Sequence, residues 1–384
     1  MSPSRQPDVL VAGAGVVGAG CAFALAREGL RVCLIDGGFV GGGSTASAMG
    51  HLVVMDDSEA ELRLTAYSRH LWSELAKEMP ADCEAEQRGT LWVAATDAEM
   101  AAARTKRDRY QSHGIAAEVV DEQLLMSMEP MLRRGLAGAL HVSDDSVLYP
   151  PAAARHLADR ARALGAELRE NCTVERIDGR SVYVRERGGS TAVLSAGAVV
   201  NAAGIDAPLL TPGLPIVPRK GQLLITDRYP DFCNHQVVEL GYLESAHTLG
   251  GPSVAFNVQP RATGQLLVGS SRELVGRDPE VNRELLGTML QRAIHYMPQL
   301  ASLVVTRSWT GFRPATPDAL PLIGRWEGVD GLWIAAGHEG LGITLAPATA
   351  ALIVDGILGR ASAVDPTPFA PGRAMPNSHV PAAV

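Results

Sequence analysis

Residues 8–36 read DVLVAGAGVVGAGCAFALAREGLRVCLID, and this stretch predicts the first unit of the fold. Residues 9–12 form an apolar run that is long enough for one buried parallel strand. The motif G-x-G-x-x-G follows at 13–18, and apolar residues then recur at helical spacing until Gly29. Residues 31–36 predict a second buried strand with an aspartate at its end. The stretch therefore predicts a strand, a glycine-rich turn, a helix and a second strand.

Each residue of this motif has a physical reason to be there. Gly13 permits the tight turn, Gly15 lets a diphosphate approach the backbone, and Gly18 lets the helix pack closely on the strand. The helix N-terminus offers N–H groups to phosphate oxygens. Asp36 lies 21 residues after Gly15 (36 − 15), where a carboxylate can bind a ribose hydroxyl and would repel a 2′-phosphate, which disfavours NADP. The motif predicts a dinucleotide site; the alternative is a glycine-rich turn in another α/β protein.

The composition is that of a globular protein and excludes several classes of function. Of 384 residues, 46% are apolar and 20% charged, with a net charge of −8, and this length suits two domains. No basic tract interleaves with aromatic residues, so we expect no nucleic-acid partner. The five cysteines lie far apart in the chain, without a C-x-x-C motif or a Cys/His cluster. This pattern predicts a reducing compartment and no zinc, iron–sulfur or other metal site in this chain.

The N-terminus and the hydropathy pattern predict a cytoplasmic protein. Residues 1–7 are short and polar, and the first apolar segment is already the predicted strand, so we expect no signal peptide. Apolar runs of about 18 residues do not occur, so we expect no membrane span.

Three more stretches predict backbone that lies against a ligand. Residues 37–51 combine glycines with three hydroxyl side chains directly after the acidic strand; a flexible surface loop is the alternative. Residues 201–204 (NAAG) end a predicted strand in small residues. Residues 337–342 (GHEGLG) separate a predicted strand at 332–336 from a helix that ends at Leu358. That helix start could place N–H groups on a polarised carbonyl or an anionic ring nitrogen.

The remaining segments predict a second domain as well as further elements of the first. The predicted helices are 60–77, 97–114, 121–128, 152–164 and 282–297. The predicted strands are 87–95, 167–177, 181–186, 194–202, 222–226, 236–239, 253–259 and 265–269. The strand-rich part from 212 to 307 suits a sheet with one covered face.

Taken together, these motifs resemble the D-amino-acid oxidase superfamily of flavoproteins. The resemblance is carried by the first motif with Asp36, the loop 44–51, NAAG at 201–204, GFRP at 311–314 and GHEGLG at 337–342. The chain is similar to the glycine oxidase and sarcosine oxidase branch. It is most similar to the flavin subunits of bacterial D-hydroxyproline dehydrogenase, opine oxidase and hydrogen cyanide synthase. The resemblance covers nearly the whole chain.

The resemblance implies an α/β fold that is α+β overall. We expect a Rossmann-like FAD-binding domain made of discontinuous segments (1–80, 140–211 and 305–384). We expect a substrate-binding domain built on a large antiparallel sheet (81–139 and 212–304). The FAD is expected to be non-covalent, because no cysteine lies near Gly311 and Phe312, where members of this branch often carry a flavin-linked cysteine. His51 is an alternative tether.

The resemblance also implies which residues contact FAD. They are Gly13, Gly15, Val16, Val17, Gly18, Asp36, Gly37, Gly43, Ser44, Thr45, Ser47, Ala48, Met49, Gly50, His51, Val174, Ala202, Ala203, Gly204, Gly311, Arg313, Gly337, His338, Gly340, Leu341, Gly342, Ile343 and Thr344.

Three residues are candidates for catalysis. Arg313 matches the family's arginine that holds the substrate carboxylate, and a planar, permanently charged fork suits that ligand. Gly311 and Pro314 indicate a shaped turn around it, and a structural arginine that bridges two loops is the alternative. His51 and His338 are candidates to accept a proton or orient the amine, because imidazole titrates near neutrality. A structural role is an equal alternative for each histidine.

Glu339, Asn257 and Arg272 are candidate residues of the substrate pocket. Glycine oxidase has a second arginine in the C-terminal turn, where this chain has Glu339 and its neighbours, and a tyrosine where Asn257 stands, which disfavours glycine as the substrate. Glu339 could attract an ammonium or the basic end of a larger substrate. Arg272 lines the pocket or is a solvated sheet-end arginine. Lys220 resembles a family position near the flavin, and a solvated surface lysine is the alternative.

The reaction implied is oxidation of a Cα–N bond, with the Cα hydride passing to flavin N5. The expected substrate is a secondary amino acid such as D-hydroxyproline, proline, sarcosine or an opine. We expect the catalytic subunit of a hetero-oligomeric dehydrogenase, with an iron–sulfur cluster or a second flavin on partner subunits through which it could associate with a membrane. The alternatives are a stand-alone oxidase that uses O2, a non-catalytic FAD-carrying subunit and an NAD-dependent enzyme.

Overall fold

Two large β-sheets organise the residues described by the computed structural model, 6–241 and 251–375. The first sheet has six strands, which are, in spatial order, β18 (Leu322–Arg325), β19 (Leu332–Ala336), β12 (Ala198–Asn201), β1 (Val9–Ala12), β2 (Val32–Ile35) and β8 (Glu167–Arg169). The second has eight strands, which are, in spatial order, β17 (Val305–Ala315), β13 (Val217–Thr226), β16 (Leu266–Arg272), β15 (Ser253–Pro260), β14 (Gln236–Glu239), β4 (Thr90–Ala94), β6 (Gly138–Val142) and β5 (Glu118–Val120).

Two smaller sheets and the helices complete the described part of the chain. The smaller sheets are β11 (Thr191–Ser195), β10 (Ser181–Glu186) and β9 (Cys172–Asp178), and the pair β3 (His51–Leu52) and β7 (Ser146–Val147). The α-helices are α1 (Val16–Arg27), α2 (Gly43–Ser47), α3 (Glu59–Ala76), α4 (Asp97–Ser112), α5 (Glu122–Met128), α6 (Pro150–Ala163), α7 (Ala207–Leu210), α8 (Arg283–Tyr296) and α9 (Gly342–Leu358). Short 3-10 helices lie at Ala81–Cys83, Gly204–Asp206, Pro298–Ser302, Glu339–Leu341 and Thr367–Phe369.

The six-stranded sheet has the architecture of a dinucleotide-binding domain. Strand β1 lies at its centre and pairs in parallel with β2 and with β12. The side chains of β1 alternate between two buried clusters, with Val11 packing against α1, α6 and α9 and Leu10 packing beneath β9 and β10. Because both faces are covered, these strands are continuous apolar runs, as the sequence predicts. The Rossmann-like FAD domain is confirmed.

The eight-stranded sheet has one face covered by α5 and α8, and its other face is turned towards residues 47–55 and is partly covered by α4. Its neighbouring strands are antiparallel except for β14 and β4. Phe256 and Val258 pack against α8 on the covered face, whereas Trp92 and Val238 pack against residues 53–55 on the other. The predicted substrate domain with a large antiparallel sheet is confirmed. The sheet also includes β6 and β17, which extend beyond the ranges 81–139 and 212–304.

Two predictions of local structure are wrong. Residues 194–202 form two strands rather than one: β11 is a solvated edge of the small sheet, and β12 enters the core after Gly197, where a Cβ would lie 2.8 Å from the Asp8 carbonyl oxygen. Residues 311–314 are part of the continuous strand β17 rather than a shaped turn. Pro314 fits there because it lies opposite Pro218 of β13, so neither residue needs a backbone N–H.

One segment among the described residues, Glu339–Leu358, is long and apolar enough to cross a membrane. Just over half of it is buried inside the fold, where α9 packs against α1 and α3. Such burial is typical of the core helix of a globular domain.

Candidate active site

At Gly13 and Gly18, where β1 turns into α1, there is no room for a side chain. Gly13 has φ +103°, and a Cβ there would lie 2.5 Å from the carbonyl oxygen of Ala202. A Cβ on Gly18 would lie 1.8 Å from the carbonyl oxygen of Gly13. The ends of β1 and β12 therefore meet the start of α1 backbone to backbone, and Ala203 and Gly204 continue that edge. The result is a bare backbone cradle of the kind that fits a diphosphate.

The N-terminus of α1 opens into this cradle. Gly15 is the N-cap residue and supplies no side-chain cap. The N–H of Val16 donates to Thr45 Oγ1 at 3.0 Å, so α2 is fixed beside the helix end. The next N–H groups, beginning at Val17, form the positive end of a 12-residue helix. This end suits the negative charge of a diphosphate.

Asp36 is fixed at the end of β2. Its Oδ2 accepts from the Ala14 N–H and its Oδ1 from the Gly38 N–H, each at 2.7 Å. The N–H of Cys172 donates to the Asp36 carbonyl at 2.9 Å, so β9, which contains Val174, runs alongside. A Cβ on Gly37 would lie 3.1 Å from Thr173 Oγ1. The carboxylate is thus held where a ribose is expected, with small residues around it.

The glycine-rich stretch 43–50 is clamped between the two sheets. Ser44 Oγ donates to the Phe312 carbonyl at 2.6 Å, and Trp309 Nε1 donates to the Ser47 carbonyl at 3.1 Å. A Cβ on Gly311 would lie 2.5 Å from the Ser47 Cβ. Gln259 Oε1 accepts from the Gly50 N–H at 2.8 Å. The alternative of a flexible surface loop does not fit these contacts, which also hold Ala48 and Met49 between the sheets.

The C-terminal turn supplies a second open helix end. Gly337 has φ +78°, and Leu341, the N-cap of α9, supplies no side-chain cap. Gly340, Gly342 and Ile343 bring this backbone past Arg313; a Cβ on Gly340 would lie 3.8 Å from the arginine Nε. Thr344 Oγ1 donates to the His51 carbonyl at 2.9 Å, so its hydroxyl ties α9 to β3.

Neither candidate histidine is a base near neutral pH. Burial lowers the pKa of His51 to about 3 and that of His338 to about 4. His338 Nε2 lies 2.9 Å from Thr349 Oγ1 inside α9, which favours the structural alternative. His51 Nε2 is buried and has no hydrogen-bond partner among the described residues. That His51 orients the amine stays a prediction. The burial of both rings disfavours the prediction that either histidine accepts a proton.

Arg313 lies on the face of the eight-stranded sheet that is turned towards stretch 43–50. It is directly opposite Arg219 in the register of β17 and β13, so both side chains leave the sheet on the same face. Its Nη1 donates to the Ser271 carbonyl at 3.1 Å. A Cβ on Gly221 would lie 2.3 Å from the same nitrogen. The guanidinium therefore lies flat over a glycine, held by one hydrogen bond, and points towards the C-terminal turn.

Glu339 and Arg272 join this cluster. Arg219 Nη1 lies 3.5 Å from Glu339 Oε1. Burial alone would raise the pKa of Glu339, but Arg313, Arg272 and Arg219 together hold that pKa below its ordinary value. Arg272 is buried, so the solvated sheet-end alternative is wrong.

Asn257 lies close to the same face. It is buried, it lies opposite Gly269, and its Oδ1 has no hydrogen-bond donor among the described residues. Both features suit a residue that lines a pocket.

Lys220 is neither at the site nor at the surface. It leaves β13 on the opposite face from Arg219, because successive side chains of a strand alternate. Its Nζ lies 2.8 Å from Asp278 Oδ2 and 3.0 Å from the Glu280 carbonyl, and Glu273 is 3.7 Å away. The alternative that Lys220 is a solvated surface lysine is therefore wrong.

Three residues of the site are absent from the sequence-based prediction: Arg219, Gln259 and Trp309. The register between paired strands is the signal that could have identified them. Once β17 and β13 are paired around Arg313, alternation puts Arg219 and Trp309 on the same face. Gln259 lies on the strand of Asn257, two residues further along.

The site fits FAD. The bare cradle at Gly13 and Gly18 would hold the diphosphate, Asp36 the ribose, and the end of α9 the flavin ring. In 6–241 and 251–375, no group of three or more His, Cys, Asp or Glu side chains is placed to hold a metal.

Comparisons with known proteins agree with this geometry. Residues 8–356 match the family described as DAO, FAD dependent oxidoreductase. Glycine oxidase of Pseudomonas putida is 28% identical over 385 residues, covering 95% of this chain and 98% of the relative. Hydrogen cyanide synthase subunit HcnC of Pseudomonas aeruginosa is 26% identical and covers 99% of each chain.

The fold comparison gives the same family. The crystal structure of L-proline dehydrogenase from P. horikoshii superimposes with a TM-score of 0.85 at 25% identity, covering 95% of this chain and 97% of that chain. FAD is thus the cofactor, which removes the NAD-dependent alternative. The chain belongs to the DAO family of FAD-dependent oxidoreductases, in the branch that oxidises amino acids.

Proposed function

We propose that this chain oxidises the Cα–N bond of a secondary amino acid such as D-hydroxyproline, proline, sarcosine or an opine. The observation that carries the proposal is the position of Arg313. One of its five N–H donors is used by the Ser271 carbonyl, and its side chain lies beside Gly340 of the C-terminal turn, on the same strand as Gly311, which packs against Ser47. A guanidinium held in this way is suited to bind an α-carboxylate with two parallel hydrogen bonds.

The residues of the chain orient the substrate. When bound, FAD supplies the acceptor for the hydride that leaves Cα. Arg313 fixes the carboxylate, and this leaves Cα and the nitrogen to face the ring. Because burial lowers the pKa of His51 and His338, the amine proton must leave to water rather than to an imidazole. We therefore expect the rate of flavin reduction to follow the ionisation of the substrate amine, without a step near pH 6.5.

The preference for a secondary amine rests on the pocket and on one relative, whereas a second relative supports an α-amino acid in general. Glu339 and Asn257 stand where glycine oxidase has other residues, which changes the shape and charge around the amine. The likeness to L-proline dehydrogenase supports a substrate with a substituted nitrogen. The likeness to glycine oxidase supports the α-amino acid part of the proposal.

The proposed electron acceptor is a partner subunit that carries an iron–sulfur cluster or a second flavin. A relative named as a subunit, HcnC, supports a multi-subunit enzyme. The five cysteines of this chain are all buried and free, and no disulfide joins them. A cluster would therefore lie on another chain. The proposed location is the cytoplasm, with membrane association through those partners.

The test is anaerobic flavin reduction. The purified holoenzyme is titrated with D-hydroxyproline, L- and D-proline, sarcosine, glycine and octopine while the flavin absorbance is followed. Bleaching by a secondary amino acid supports the proposal, and bleaching by glycine alone contradicts it. Admission of air then separates an oxidase, which reoxidises at once, from a dehydrogenase. Denaturation should release FAD, and flavin that stays on the chain contradicts non-covalent binding.

A matched pair of variants tests the role of Arg313. Arg313→Ala should keep FAD and the fold but lose at least about a hundredfold in the efficiency of flavin reduction, since a charged hydrogen-bonded pair contributes about 3 kcal/mol. Arg325→Ala removes an exposed arginine from β18 and should leave reduction unchanged. Unchanged reduction in Arg313→Ala would refute the clamp, and loss in both variants would show that the effect is not specific. A chain that holds FAD but is reduced by no amino acid would be the non-catalytic subunit.

A further inference from the structure

Glu339 has an uncommon backbone conformation. Its φ is +48°, in the left-handed region that residues with a Cβ seldom adopt. Glu84, at φ +47°, is a second glutamate of this kind in the described ranges. Its carboxylate forms two hydrogen bonds with Arg261, and the one from Nε is 2.9 Å long. Glu84 thus shows how a structural glutamate in this conformation is satisfied.

Only part of the Glu339 carboxylate is satisfied in this way. The backbone of Gly340 hydrogen-bonds the carboxylate, but its Oε1 is buried and accepts no hydrogen bond from the described residues. Arg219 Nη1 lies 3.5 Å from this oxygen, which is an ion-pair distance but longer than a hydrogen bond. Leaving a buried carboxylate oxygen without a donor is unfavourable. An acceptor beside Arg313, held in a strained turn, therefore points to a donor that arrives with the ligand.

The surrounding charges limit what that donor can be. An ammonium or guanidinium would approach Arg219, Arg272 and Arg313, whose positive charges repel it. A carboxylate would be repelled by Glu339 and has no proton to donate. A hydroxyl donates to a carboxylate oxygen and accepts from a guanidinium with the same oxygen atom. A neutral hydroxyl therefore fits a site that contains both kinds of group.

We propose that Glu339 is a specificity residue that accepts a hydrogen bond from a hydroxyl group on the side chain of the substrate. The inference rests on the proposed function, because it places the α-carboxylate on Arg313. It adds that hydroxylated amino acids are favoured over the corresponding amino acids that lack only the hydroxyl. A hydrogen bond to a charged group gives a preference of about ten- to a hundredfold.

The test compares matched pairs of amino acids on the holoenzyme. The pairs are 4-hydroxyproline with proline and serine with alanine, each in both configurations at Cα. The limiting rate of anaerobic flavin reduction and the substrate Kd are measured for the wild type, Glu339→Gln and Glu339→Gly. Calorimetric binding of the enantiomer that does not reduce the flavin gives a readout that is independent of turnover.

The variants have different expected outcomes. Glu339→Gly should lose the hydroxyl preference, while the unhydroxylated partner binds equally well or more tightly because a negative charge has left the site. Glu339→Gln should keep part of the preference, because its amide oxygen still accepts. Glycine tolerates φ +48°, so the Tm of Glu339→Gly should not fall. Glu84→Gln should lower the Tm, because it weakens the pair with Arg261, and keep the hydroxyl preference.

Three results would overturn the inference. They are a wild type without hydroxyl preference, a preference that survives in Glu339→Gly, and an equal loss for both members of each pair. The last result would show a structural role for Glu339. Reduction of the flavin by proline or sarcosine without any hydroxyl preference rejects this inference alone. A flavin that no amino acid reduces rejects the proposed function, and this inference with it.

Discussion

Replacing Gly18 by alanine adds one methyl group at the point where α1 approaches the backbone of Gly13, in the turn between β1 and α1. That Cβ would lie 1.8 Å from the Gly13 carbonyl oxygen and 3.0 Å from its carbon. Non-bonded heavy atoms have their optimum near 3.5 Å, so α1 must move away from β1 by roughly 1.5 Å. Overpacking of this kind costs about 1–3 kcal/mol, and the upper end applies because both partners are backbone. The same movement displaces the N–H groups of the cradle.

Gly20, two residues further along the same helix, provides a matched control. Its Cβ would lie 3.5 Å from the Ala346 carbonyl oxygen and 3.9 Å from the Ala350 Cβ, which is ordinary contact. Glycine within a helix costs about 0.5–1 kcal/mol relative to alanine, so Gly20→Ala should be slightly more stable than the wild type. The same substitution, glycine to alanine, is thus expected to lower the stability at position 18 and to raise it at position 20.

The assay measures both stability and cofactor affinity. Urea unfolding of the apoprotein gives the free energy of unfolding, and titration with FAD gives its Kd from the quenching of flavin fluorescence. Gly18→Ala should lose about 3 kcal/mol of stability. It should also bind FAD at least tenfold more weakly, since a tenfold change in Kd corresponds to about 1.4 kcal/mol. Wild-type FAD affinity in Gly18→Ala would refute the assignment of this turn to the diphosphate.

Three further predictions test other parts of the fold. Burial raises the pKa of Glu61 from 4.5 to about 7, so the native state holds a proton that the unfolded chain releases, and stability falls as the pH rises between those values. Glu61→Gln should therefore gain at most about 3 kcal/mol over the wild type between pH 4.5 and pH 8, as measured by urea unfolding at both pH values. Lys220→Met leaves the buried Glu273 without its cation and should cost about 3–5 kcal/mol, whereas the exposed Lys77→Met should leave the Tm unchanged. Asp36→Ala should weaken FAD binding about tenfold in reconstitution and leave α1 folded, and an unchanged Kd would contradict its placement at the ribose.

The first βαβ unit could be predicted because its signals are local. An apolar run, three spaced glycines and an acid lie within 29 residues (36 − 8 + 1), and the strand Val9–Ala12 has the predicted bounds. The strands Gln236–Glu239 and Leu332–Ala336 also have the predicted bounds, because glycine or polar turn residues flank them.

Strand β17 could not be predicted because its signals are not local. Glycine and proline within GFRP indicate a break in the chain, yet Pro314 is compatible with a strand once Pro218 lies opposite. The same pairing decides that Arg219, rather than Lys220, shares a face with Arg313. Register between strands about 90 residues apart (313 − 219) is a property of the folded sheet.

The histidines show a second limit of local reasoning. The position of His338 in a glycine-rich turn indicates function, but its protonation depends on burial and on Thr349, 11 residues further along. Burial lowers its pKa to about 4, so the ring is a neutral part of the core.

The order of strands in the six-stranded sheet has a consequence for biosynthesis. β1 is made first but lies between β2 and β12, and β12 begins 186 residues after β1 ends (198 − 12). At 5–20 residues per second, a ribosome needs about 10 to 40 s to supply that neighbour. Until then β1 presents an unpaired apolar edge, which is a hazard for aggregation. The end of α9 that would hold the flavin ring is made later still. We therefore expect FAD to be captured only by a nearly finished chain, and a nascent chain arrested at residue 300 should bind none.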